Sequence, residues 1–75
     1  MNLKVYGEEL YKRYDMAKRN EAVLQIYLYV IEHAAELKDA SISAKQLARN
    51  AQLEGYVAEI SKALKLSDYV QLKQF

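Results

Sequence analysis

The chain has no cysteine, no proline, no tryptophan and only two glycines in 75 residues. Without cysteine there are no disulfides and no thiolate zinc sites, so a metal centre would need the single histidine, His33, and carboxylates. Two isolated glycines, Gly7 and Gly55, cannot form a phosphate-cradling loop. Net charge is also nearly absent, at +1, which excludes a globally basic nucleic-acid binder but leaves room for a local patch. The longest apolar run, AVLQIYLYVI at 22–31, contains Gln25 and is shorter than the roughly 20 residues needed to span a bilayer. No N-terminal stretch combines a basic start, an apolar core and a small-residue cleavage site. The expectation is a cytoplasmic protein with no membrane association, no cofactor and no structural metal. No nucleophile is paired with a base, and Glu32 and Glu36, one turn apart, read as a solvated helix edge, so no enzymatic chemistry is expected.

What is present is an ordinary globular mixture, 52% apolar and 28% charged, long enough for a single domain over 1–75. A domain this small buries only about 60% of its unfolded surface and relies on tight helix packing or on oligomerisation. Residues 2–6 (NLKVY) alternate apolar and polar, which predicts a short strand ended by Gly7. Over 8–19, Leu10, Tyr14 and Ala17 recur at helical spacing, opened by Glu8 and Glu9 and closed by Lys18 and Arg19. Over 21–38, Val23, Ile26, Tyr27, Val30, Ile31 and Ala34 make an apolar face that Leu24, Leu28 and Ala35 widen. The polar stripe left over, Gln25, Tyr29, Glu32 and Glu36, is narrow, so this helix is either central to the fold or the seam of a dimer. Ser43 stands three residues before Gln46, a capping-box pattern that starts a helix over about 44–51. After a break at QLEG a helix over about 55–65 buries Val57, Ile60 and Leu64. In 67–75 (SDYVQLKQF), Val70 and Leu72 alternate with Gln71 and Lys73, which predicts a second strand able to pair with the first.

The stretch SISAKQLARNAQLEGYVAEISKAL (41–64) gathers the parts of one motif. Ala48 or Ala51 is the small residue where two helices cross closely, Leu53 pins the break into the core, and the second helix buries one side only. Residues 43–64 resemble the helix-turn-helix superfamily, with a turn a residue or two longer than its tightest form. The strand at 67–75 stands where winged-helix relatives place their wing. The fold class expected is therefore mainly α: a small four-helix domain containing a helix-turn-helix, with short N- and C-terminal β-strands, a degenerate winged helix.

That resemblance implies binding to double-stranded DNA, with the second helix in the major groove. Ser43 and Lys45 would touch backbone phosphate, Tyr56, Glu59 and Lys62 would face base edges, and Arg49 and Lys65 would flank on phosphates. Over 40–75 the basic residues Lys45, Arg49, Lys62, Lys65 and Lys73 outnumber Glu54, Glu59 and Asp68. So few cations make a weak, salt-sensitive binder that works as a homodimer, in a small transcriptional regulator or an accessory factor of a mobile element. Seven tyrosines point to an interface, with Tyr29, Leu28 and Ile31 on the longest helix as its candidates. The alternative reading is a small adaptor or inhibitor that seizes a protein partner through helix 21–38 and surface tyrosines.

Overall fold

A computed structural model describes residues 2–72. The chain begins in a helix, α1 (Leu3–Asp15), and not in a strand. Asn2 caps it: its side chain accepts from the Val5 N–H at 3.0 Å and its carbonyl from the Tyr6 N–H at 3.2 Å. Tyr6, Leu10 and Tyr14 then fall on one face, the first two buried and the third packed on the core edge. The short alternation in NLKVY is thus the first turn of a helical pattern that continues through Tyr14. Gly7 lies inside α1, against Asn50, and terminates nothing.

The expected long helix is two. α2 (Ala22–Glu32) ends at His33, whose backbone leaves helical geometry (φ −108°, ψ 11°), and α3 (Ala34–Asp39) follows at once. At this junction the His33 ring lies 4.4 Å from that of Tyr29, and Nδ1 of His33 meets Glu36 at 3.3 Å. The split gives five α-helices among the described residues where four were expected: α4 (Ala44–Asn50) and α5 (Val57–Leu66) complete the set. No strand occurs among the described residues. Residues 67–69 form a turn, with the Ser67 hydroxyl donating to the Leu64 carbonyl at 2.6 Å, and 70–72 are irregular. Residues 73–75 of the expected strand lie outside the described residues. The pairing partner at 2–6 is helical, so no wing forms between the two ends.

α1 packs against α2 and α4, and α5 packs against the same two helices, so the four close a ring around one cluster. Leu10, Ile26, Val30, Leu37, Leu47 and Ile60 are fully buried there, each contributing about 1.5–3 kcal/mol by transfer from water. Tyr29 is in this core, 2% exposed, and not on the polar surface of the helix. The stripe it shares with Gln25, Glu32 and Glu36 is covered by α1. Arg13 donates to Gln25 at 3.1 Å and to Glu32 at 2.7 Å, Tyr29 donates to Glu9 at 2.8 Å, and Tyr6 donates to Glu36 at 2.9 Å. The polar stripe of α2 is therefore a hydrogen-bonded seam with α1.

Candidate nucleic-acid interface

α4 and α5 are positioned by local rules that can be followed residue by residue. The Gln46 N–H donates to Ser43 Oγ at 3.1 Å, and the Ser43 N–H donates to Gln46 Oε1 at 2.9 Å, so the capping box fixes the start of α4. α4 buries Leu47 and Ala48 and exposes Lys45, Gln46 and Arg49. It ends in a Schellman motif: Gln52 is left-handed (φ 59°), its N–H reaches the Arg49 carbonyl at 3.2 Å, and the Leu53 N–H reaches the Ala48 carbonyl at 2.8 Å. Leu53 turns into the core beside Ala48 and Ala51, and a single 3-10 turn (Glu54–Tyr56) leads into α5. The connection between α4 and α5 runs from Ala51 to Tyr56, longer than the tightest form of the motif.

α5 buries Ile60 and Ala63 and leans on the core with Val57 and Leu64. Its exposed side carries Ala58, Lys62 and Lys65. Of the residues expected to face base edges, Lys62 is exposed and Glu59 is half-buried on the flank. Tyr56 is half-buried and turned toward α1. Its hydroxyl lies 3.2 Å from that of Tyr14, the ring centroids are 5.5 Å apart, and the hydrogen bond shared with Tyr14 is the main cause that raises its pKa. In this position Tyr56 braces the turn against α1. Ala58, also exposed, sits one turn before Lys62 on the outward side.

Ion pairs hold two cations that lie outside these helices. Arg13 is held by Glu32 at 2.7 Å and Lys38 by Asp68 at 2.6 Å. Lys45, Arg49, Lys62 and Lys65 have no ion-pair partner among the described residues. Ser43 spends its oxygen and its backbone N–H on the cap. Contact with an anion at this end of α4 therefore falls mainly to Lys45.

The residues expected at an interface separate. Leu28 and Ile31 are half-buried on α2, Ile31 with part of its surface against the core, while Tyr29 is enclosed. Burial, followed by the bond to Glu9, raises the pKa of Tyr29 far above that of a free phenol. Tyr6 is raised in the same way, by burial and then by Glu36. Glu36 is lowered, first by the hydrogen bond from Tyr6 and then by His33, against the opposing effect of burial. These carboxylates serve tyrosine hydroxyls between helices. Among the described residues no three His, Asp or Glu side chains converge at metal-binding spacing, and no helix is long and apolar enough to cross a membrane.

A family model described as an HTH-like domain matches residues 2–73 of the chain. No curated protein and no solved structure matches it.

Proposed function

The chain belongs to the family of HTH-like domains, and on that footing we propose that α4 and α5 bind double-stranded DNA as a homodimer, in a small transcriptional regulator or an accessory factor of a mobile element. The observation that carries this reading is the set of four exposed, unpaired cations that the motif's two helices hold between them. Lys45, Arg49, Lys62 and Lys65 are exposed on α4 and α5 with no ion pair among the described residues; Lys4, Lys12, Lys18 and Arg19 are also exposed and unpaired, but they lie outside the motif. Cations left unpaired on one motif are available to release counterions from phosphate.

In mechanism, α5 lies in the major groove with Ala58 and Lys62 toward base edges. Lysine suits the O6 and N7 acceptors of guanine, and a small apolar side chain suits the thymine methyl. Lys45, Arg49 and Lys65 sit on phosphates, fixing register without reading sequence. Glu59 accepts from cytosine N4 where the groove places one beside it. Three phosphate contacts per protomer correspond to a slope of roughly −2.7 in log K against log salt, and two protomers together to roughly −5.4.

Fluorescence anisotropy of a labelled duplex, titrated at low salt, tests the reading. The double variant Lys45→Glu, Lys62→Glu is expected to lose at least about tenfold in affinity, since each lost contact removes a counterion-release contribution and adds repulsion. Unchanged affinity in the double variant would sink the proposal.

A further inference from the structure

We infer that the outward face of α2 is where two copies of this chain meet, with the two α2 helices antiparallel. The inference rests on the DNA-binding reading above for its biological purpose, but its physical basis is separate. α2 has three sides. One carries Ile26, Tyr29 and Val30 into the core. A second is the polar seam sealed by α1. The third carries Leu24, Leu28 and Ile31 at i, i+4 and i+7, the first exposed and the other two half-buried. Leu24 is 50% exposed and its neighbour Val23 40%. Solvent-facing helix surfaces are ordinarily polar, and this one is apolar because the polar residues of the helix are spent on α1.

Charge identifies the occupant as a second copy and sets its direction. Residues 22–31 contain no charged side chain, so a two-fold axis through this face sets no charge against its own image. The flanks are opposite in sign. Lys18 and Arg19 precede α2, with no ion pair among the described residues. Over 32–39, Glu32, Glu36 and Asp39 outnumber Lys38, with Glu32 shared with Arg13, Glu36 with Tyr6 and His33, and Lys38 with Asp68. Lys18 and Glu21 both line the groove between α1 and α2, and with Arg19 they leave 18–21 net basic. Antiparallel helices set the basic entry of one protomer beside the acidic exit of its partner, whereas parallel helices set like against like. The apolar residues are self-complementary in that arrangement: with the axis between Tyr27 and Leu28, Leu24 meets Ile31 of the partner subunit and Leu28 lies close to the axis. One helix pair buries less than the roughly 800 Å² per partner of a standard interface, so the free dimer is weak and concentration-dependent.

Sedimentation from about 10 µM to about 1 mM, a range set by so small an interface, is expected to show mass rising from monomer to dimer. Leu24→Glu is expected to weaken association at least about tenfold, with the helical circular dichroism unchanged because Leu24 is exposed. The chain has no cysteine, so engineered thiols report the geometry without background. Leu28→Cys is expected to cross-link with itself under oxidation. Leu24→Cys is expected to cross-link with an Ile31→Cys chain but not with itself, because antiparallel pairing holds the two copies of position 24 about 10 Å apart, beyond disulfide reach. A monomer at every concentration, an unaltered dimer in Leu24→Glu, or efficient cross-linking of Leu24→Cys to itself overturns the inference. The two readings fail separately. A chain that dimerises this way but leaves duplex DNA unbound removes the DNA reading alone, and a monomer that binds DNA removes only this one.

Discussion

Replacing Gly7 by alanine separates two effects of opposite sign, and the structure says which is larger. In an isolated helix the change is favourable by about 1 kcal/mol, because alanine has the better helix propensity. In this protein α1 crosses α4 at Gly7. A methyl group there would lie 2.7 Å from the carbonyl carbon, the carbonyl oxygen and the Cβ of Asn50. Carbon atoms pack best at about 3.5–4.0 Å, so the two helices must separate by close to 1 Å. Two of the three obstructing atoms are backbone, which cannot rotate aside as a side chain does. The cost therefore falls toward the upper end of the ~1–3 kcal/mol typical of overpacking. The net loss is about 2 kcal/mol, which for a domain of this size lowers Tm by roughly 8–16 °C.

Thermal unfolding followed by circular dichroism measures this, with Gly55→Ala as the internal control. A methyl group on Gly55 meets nothing within 4 Å, so that variant is expected to gain about 0.4–1 kcal/mol from the unfolded state alone. The pair should move in opposite directions. A Gly7→Ala protein that melts at or above the wild type would refute the close crossing of α1 and α4. The placement of α4, and with it the geometry of the motif, would then need another support.

Three further outcomes follow from single residues. Gln52→Gly relieves a left-handed non-glycine residue (φ 59°) at the end of α4 and should stabilise by about 0.5–1 kcal/mol, read as a higher urea midpoint at unchanged m. Ser43→Ala breaks the capping box and should cost about 1 kcal/mol, while Ser43→Asp retains the cap and the stability. Glu36 has a folded-state pKa below its ordinary 4.5, so its stabilising contribution is complete above that pH and is lost as pH falls through the lowered value. Unfolding midpoints measured from neutral pH down into the acid range should decline less steeply in Glu36→Gln.

Much of the helical motif was legible before any coordinates. The S-x-x-Q pattern at Ser43 placed the start of α4 because a cap is a local contact that needs no partner elsewhere. The buried set Leu47, Ala48, Leu53 and Ile60 followed from periodicity, and fitting Ile60 and Leu64 to one face already required a longer turn. The terminal strands were misread for a physical reason. Leu3 and Val5 alternate over too few residues to distinguish period 2 from the first turn of a helix. What decides it is Asn2, whose side chain captures the Val5 N–H. The second strand depended on the first for a partner, so the two errors were one.

The misreading of Tyr29 is more instructive, because the stripe it belongs to is real. Gln25, Tyr29, Glu32 and Glu36 do share one side of the chain from α2 into α3. A polar stripe on an apolar helix is usually its solvent face, yet here α1 brings a matching row, Tyr6, Glu9 and Arg13, at i, i+3 and i+7. Donors on one row meet acceptors on the other, so Tyr6 and Tyr29 are buried with their hydroxyls bonded while Arg13, Glu32 and Glu36 keep an exposed edge. The signal was present in the sequence as complementarity between two segments, and a reading of each helix alone could not detect it. Sealing that side has a consequence for α2. With its polar residues committed to α1 and one apolar side to the core, the side left over exposes Val23 and Leu24, with Leu28 and Ile31 half-buried beside them. The feature that hid Tyr29 thus also leaves the helix with an apolar face for a second copy to cover.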